Sequence, residues 1–104
     1  MRSFKDFLIR LIDKIDTTIP YEPAPGVRFS KIGRDTWRFH CGDYAADVAT
    51  EMMAGKVRYS VDTDSPRHWL PPNDKAELTV SDRERIIGCM CKFFDHFGIT
   101  YELI

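Results

Sequence analysis

The chain has 104 residues, of which 43% are hydrophobic and 30% charged, with a formal net charge of -1. That length fits one domain with a modest core. The balanced charge argues against a nucleic-acid binder, which would carry a basic excess, and no stretch approaches the ~20 apolar residues of a membrane span.

Ser3 caps an expected helix that runs to about Asp16, with Phe4, Phe7, Leu8, Leu11, Ile12 and Ile15 on one face. Asp6, Arg10 and Asp13 break the apolar run a signal peptide needs. Mixed charges on the polar side favour packing on the domain's own sheet over a membrane surface. Residues 17–26 hold Pro20, Pro23 and Pro25 and read as a proline-rich linker. Residues 27–32 and 36–41 are expected strands, joined by the turn Gly33-Arg34-Asp35. Arg28, Lys31, Arg34 and Arg38 read as charges on an exposed sheet face.

Asp43 to Ala54 fits two templates. Ala45, Ala46, Val48, Ala49, Met52 and Met53 allow a helix, while Tyr44, Ala46, Val48, Thr50 and Met52 alternate as a strand does. A strand is the reading taken, and a helix here would remove one strand from the sheet. Val57 to Val61 is a further strand. Residues 62–66 and 71–75 are loops by their turn chemistry.

Ser81-Asp82-Arg83-Glu84 fits a capping box, with Ser81 as N-cap and Glu84 reaching back. Ile86, Met90, Phe93, Phe94 and Phe97 then form one apolar stripe, with Arg85, Cys89, Lys92 and His96 on or near the other side. Gly98 is placed to stop this helix in a left-handed conformation. Gly88 interrupts the pattern at a cost of about 1 kcal/mol against Ala, and close approach of a strand is one explanation. Residues 100–104 form a short closing strand. The expected fold is therefore α+β in a single domain, 1–104. An N-terminal helix (1–16) and a linker (17–26) precede a core (27–104). That core is an antiparallel β-meander of about four strands, a capped C-terminal helix and a short final strand.

No reaction centre emerges. Cys89-Met90-Cys91 sets two thiols on roughly opposite sides of a helix, a poor zinc pair even with His40-Cys41 as a second one. Cys91 is expected in the core and Cys89 partly exposed. Cys41 with His68 or His96 lacks any surrounding catalytic signature. Gly26, Gly33, Gly42 and Gly55 stand singly, unlike a phosphate loop. Neither enzymatic activity, nor a cofactor, nor a metal is expected. Three cysteines, an odd count, fit a reducing compartment, so the cytoplasm is the expected location.

What remains is a loop surface. Asp62 and Asp64 flank a turn that leads to His68-Trp69, and Asp74 and Glu77 follow. Aromatics anchor and carboxylates steer when a basic protein is bound. Equally, Trp69 can fill the core edge while the aspartates make turns.

Several stretches occur in a telling order: Tyr59-Ser60, Trp69-Leu70-Pro71-Pro72, the capped helix with Ile86 and Ile87, then Gly98-Ile99 and a terminal strand. Glu51 supplies an acidic residue in a strand. This order resembles the small immunity proteins of bacterial polymorphic-toxin and contact-dependent growth-inhibition systems. The resemblance covers roughly the last half of the chain, and Trp69 to Pro72 is its most specific part. It implies a non-enzymatic protein that binds the toxic C-terminal domain of a cognate effector in the cytoplasm. Such a domain is often a ribonuclease or another nuclease, and binding blocks its active site or groove. On that reading, loop placement and charge make Asp62, Asp64, His68, Trp69, Asp74 and Glu77 the expected partner-binding residues. The protein is expected to be monomeric, with no direct contact to nucleic acid or membrane. Two other classes stay open: a small adaptor or regulatory domain docking through its N-terminal helix, and an enzyme using a thiol of Cys41, Cys89 or Cys91.

Overall fold

Apolar residues on alternate positions build an antiparallel meander in the computed structural model, which describes residues 18–19 and 21–104. The helix expected over 1–16 lies outside the described residues. Strand β1 (Thr18–Ile19) pairs with β2 (Val27–Ile32), β2 with β3 (Thr36–Cys41), β3 with β4 (Tyr44–Met52) and β4 with β5 (Tyr59–Val61), all antiparallel. Helix α1 (Val80–His96) then crosses the sheet, and β6 (Tyr101–Leu103) pairs with β5 in parallel. The sheet is thus mixed, in the order β1-β2-β3-β4-β5-β6. The meander follows expectation. The parallel final pair departs from a purely antiparallel sheet, because a strand that returns after a crossover helix runs the same way as the strand before it. Within the linker stretch, Thr18 and Ile19 add as a short edge strand.

The ambiguous segment is a strand because its partners demand one. Val48 sits opposite Trp37 and Ala46 opposite Phe39, which buries both under the helix. On the other face Arg38 donates to Asp47 through Nε at 2.7 Å and Nη2 at 3.2 Å. Tertiary pairing overrides the helix propensity of its alanines.

Val27, Phe29, Trp37, Phe39, Val48, Tyr59 and Val61 pack against Ile86, Met90, Phe93 and Phe94 of α1. Trp37 meets Phe93 and Phe94 edge-on at 5.4 and 5.5 Å, and Tyr59 stacks on Phe94 at 5.4 Å. Lys31 also lies on this buried face, which corrects the expectation of an exposed charge. Its strand parity matches Val27 and Phe29. The ammonium is received by the carbonyls of Gly33 (3.1 Å) and Arg34 (2.7 Å) and lies over the Trp37 ring at 5.3 Å.

The helix begins two residues earlier than expected. Thr79, not Ser81, is the N-cap. Its hydroxyl accepts from Asp82 N at 3.1 Å, and the Asp82 carboxylate accepts from Thr79 N at 2.9 Å. The C-terminus follows expectation: Gly98 adopts φ 66°, its N–H donates to Asp95 O at 3.2 Å, and Ile99 N donates to Phe94 O at 2.9 Å. Cys89 is buried and Cys91 only half-buried, the reverse of expectation. α1 buries a wider arc than the apolar stripe implied, reaching from Cys89 round to Ile87. No helix among the described residues is long and apolar enough to cross a membrane.

Candidate protein-contact surface

The connection 62–79 carries all six expected contact residues. β5 pairs only with the last part of β4, so the first part would be left as an open edge. The connection covers it. Asp62 N donates to Ala49 O (3.0 Å), Ala49 N to Ser65 Oγ (2.8 Å) and Leu70 N to Ala45 O (2.7 Å). Arg83 Nε reaches back from α1 to Pro66 O at 2.8 Å, and Asn73 Nδ2 donates to Asp43 O at 2.8 Å. These bonds fix the loop against a rigid sheet, as a contact surface requires.

Two of the six residues are structural. Asp62 accepts from Asp64 N at 3.0 Å through its carboxylate, and its carbonyl accepts from the Ser65 hydroxyl at 2.6 Å, so it shapes the turn. Trp69 is only 7% exposed. Its ring meets Tyr44 edge-on at 4.9 Å, and its indole N–H donates to Glu77 O at 3.3 Å. It fills the core edge. Asp64, His68, Asp74 and Glu77 are exposed. They do not converge: Asp64 lines one groove and Glu77 another, on opposite flanks of α1, while His68 and Asp74 line neither.

The groove beside Trp69 encloses about 260 Å³ between Phe39, Cys41, Tyr44, Glu77 and Arg85. Arg85 Nη2 lies 3.7 Å from Cys41 Sγ there. The groove on the far flank encloses about 460 Å³ between α1 and β6. Ile87, Gly88, Cys91 and Leu103 line it, with the carboxylate-bearing Asp64 and Glu84 also on its wall. A Cβ on Gly88 would meet nothing within 4 Å, so this glycine opens the groove rather than admitting a strand. Val80 (64% exposed) and Leu103 (49%) border the same groove as exposed apolar residues. Apolar surface rimmed by charge is the composition of protein-recognition patches. Sequence reasoning noted Gly88 only as a flaw in the helical pattern and did not single out Val80 or Leu103 as surface residues. The available signal was Val80 lying off the buried stripe and two apolar residues closing the last strand.

Burial pushes the Cys89 thiol up, against the pull of Arg85 and Lys92, which keeps it protonated. His40 lies on the sheet face away from α1, with Nε2 2.8 Å from the Ser30 hydroxyl. Burial lowers its pKa, Arg38 adds to the effect, and Asp47 opposes it. Among the described residues, no group of three or more His, Cys, Asp or Glu is placed to hold a metal ion.

Fold and surface together define a small α+β domain whose outward features are grooves flanking one helix. Residues 31–104 match the family described as Immunity protein 74, and the chain belongs to that family. The match takes in β3 to β6 and α1 with both grooves. Membership implies a toxin protein as partner, and the family is generally non-enzymatic. No curated protein and no solved structure matches the chain.

Proposed function

We propose that this protein binds the toxic domain of a cognate polymorphic-toxin effector, such as one of a contact-dependent growth-inhibition system, and neutralises it in the cytoplasm by occupying its active site or substrate groove. The family match over 31–104 carries this reading. The contact surface wraps the 62–79 connection on both flanks of α1, with Asp64 on one flank, Glu77 on the other, and His68 and Asp74 exposed elsewhere on the connection. Asp62 and Trp69 hold that surface in shape without being its contacts.

The connection exposes three carboxylates, Asp64, Asp74 and Glu77, against Arg67 and Lys75. That acidic excess complements a toxin with a basic nucleic-acid cleft, which makes a nuclease the favoured target. Opposite fields speed encounter and make it sensitive to salt.

The test is co-expression with the toxin domain encoded beside this chain. Capture of that domain together with restored growth is expected. If the domain is expressed and is neither captured nor neutralised, the proposal fails.

A further inference from the structure

We propose that β6 is a strand-addition site. An extended segment of the toxin pairs with the outer edge of β6 and lays an apolar side chain in the groove beside α1. This rests on the toxin-binding reading above and names where part of that contact is made.

β6 ends the sheet order, so among the described residues its outer side has no strand neighbour. Tyr59 N donates to Thr100 O at 3.2 Å, and Ile104 N donates to Val61 O at 2.9 Å. Backbone groups alternate along a parallel strand. Those two bonds therefore turn the N–H and C=O of Tyr101 and Leu103 away from β5. Such an edge is a template for another chain.

The side chains beside that edge match. Leu103 and Val80 are exposed apolar residues there, and the groove of about 460 Å³ opens alongside, with its space at Gly88 unfilled. Asp64 and Glu84 add two carboxylates, whereas the Arg83 guanidinium donates inward to Pro66 O at 2.8 Å. The occupant that fits is an extended segment with an apolar residue for the groove and a cationic neighbour for Asp64 and Glu84. At the opposite edge, β1 has only two residues and falls outside the family match, while β6 and its groove fall inside it.

Leu103→Pro tests this without touching the ladder to β5, because the Leu103 N–H points outward and proline is tolerated on edge strands. Leu103→Val keeps the N–H and most of the apolar surface. The probe is the toxin domain encoded beside this chain, with the full chain as binder. Leu103→Pro is expected to weaken binding at least about 30-fold and Leu103→Val by no more than about threefold. In the wild-type complex, hydrogen exchange at the Tyr101 and Leu103 amides is expected to slow. That second readout stands even if the proline variant fails to fold. Equal binding by both variants, or unchanged exchange at these amides with toxin bound, overturns strand addition. If growth rescue persists in that case, neutralisation stands and the contact lies elsewhere. A wild-type dimer abolished by Leu103→Pro, with toxin binding unaltered, assigns the edge to a second copy and also overturns the proposal.

Discussion

The Trp69 indole N–H donates to the Glu77 carbonyl at 3.3 Å, tying the Trp-Leu-Pro-Pro element to the residues just before α1. This bond closes the loop that carries the exposed carboxylates Asp74 and Glu77. Trp69→Phe, which keeps an aromatic ring but loses the bond, is expected to cost about 1–2 kcal/mol. Trp69→Ala, which also leaves a cavity, is expected to cost about 3–5 kcal/mol. Denaturant unfolding measures both. Toxin affinity of the folded Trp69→Phe protein should stay within about threefold of wild type. A large affinity loss at unchanged stability would make Trp69 a contact residue.

Thr79 and Ser81 offer rival starts for α1, and the structure chooses Thr79. Thr79→Ala is expected to lower stability by about 1 kcal/mol, and Ser81→Ala to change it by less than about 0.5 kcal/mol. Thermal unfolding of the two variants side by side checks this. The reverse ranking would restore the Ser81 box.

Among the described residues, the Thr50 hydroxyl is buried without a hydrogen-bond partner, on a strand position opposite Val61. A buried polar atom left unpaired costs about 1–3 kcal/mol. Thr50→Val has nearly the same shape and is expected to raise stability by about 1 kcal/mol, or roughly 4–8 °C in Tm. A lower Tm would show that the hydroxyl is satisfied.

His40 links stability to pH. Its folded pKa is lowered from 6.5 by burial first and by Arg38 second, while Asp47 pulls the other way and Arg28 lies opposite across the ladder. The unfolded chain therefore takes up the proton at a higher pH than the folded one. Stability contributed by neutral His40 is present above pH 6.5 and is lost as pH falls from there towards the lowered value. Unfolding midpoints measured between about pH 7.5 and pH 5 should fall less steeply for His40→Gln than for wild type. Parallel profiles would remove His40 from the account.

Much of this fold is written locally. The alternation in β2 and β3, the turn at Gly33 and the stop at Gly98 each need only near neighbours, and each stands where the sequence placed it. Other features depend on distant partners. Thr79-x-x-Asp82 and Ser81-x-x-Glu84 both satisfy the capping pattern, and the tie from Trp69 to Glu77 holds the chain just ahead of the cap that forms. The burial of Cys89 over Cys91 follows from how α1 sits on the sheet. The exposed loop residues were legible as loop residues, but not that α1 separates Asp64 from Glu77. The groove at β6 was hidden because it exists only once β6 pairs with β5, more than 40 residues earlier.

The most direct measurement is growth of cells that make the adjacent toxin domain, with and without this chain. The account predicts arrested growth with the toxin domain alone and restored growth when the chain is present, with the two proteins recovered as a complex. Continued arrest with both proteins folded and abundant would contradict it.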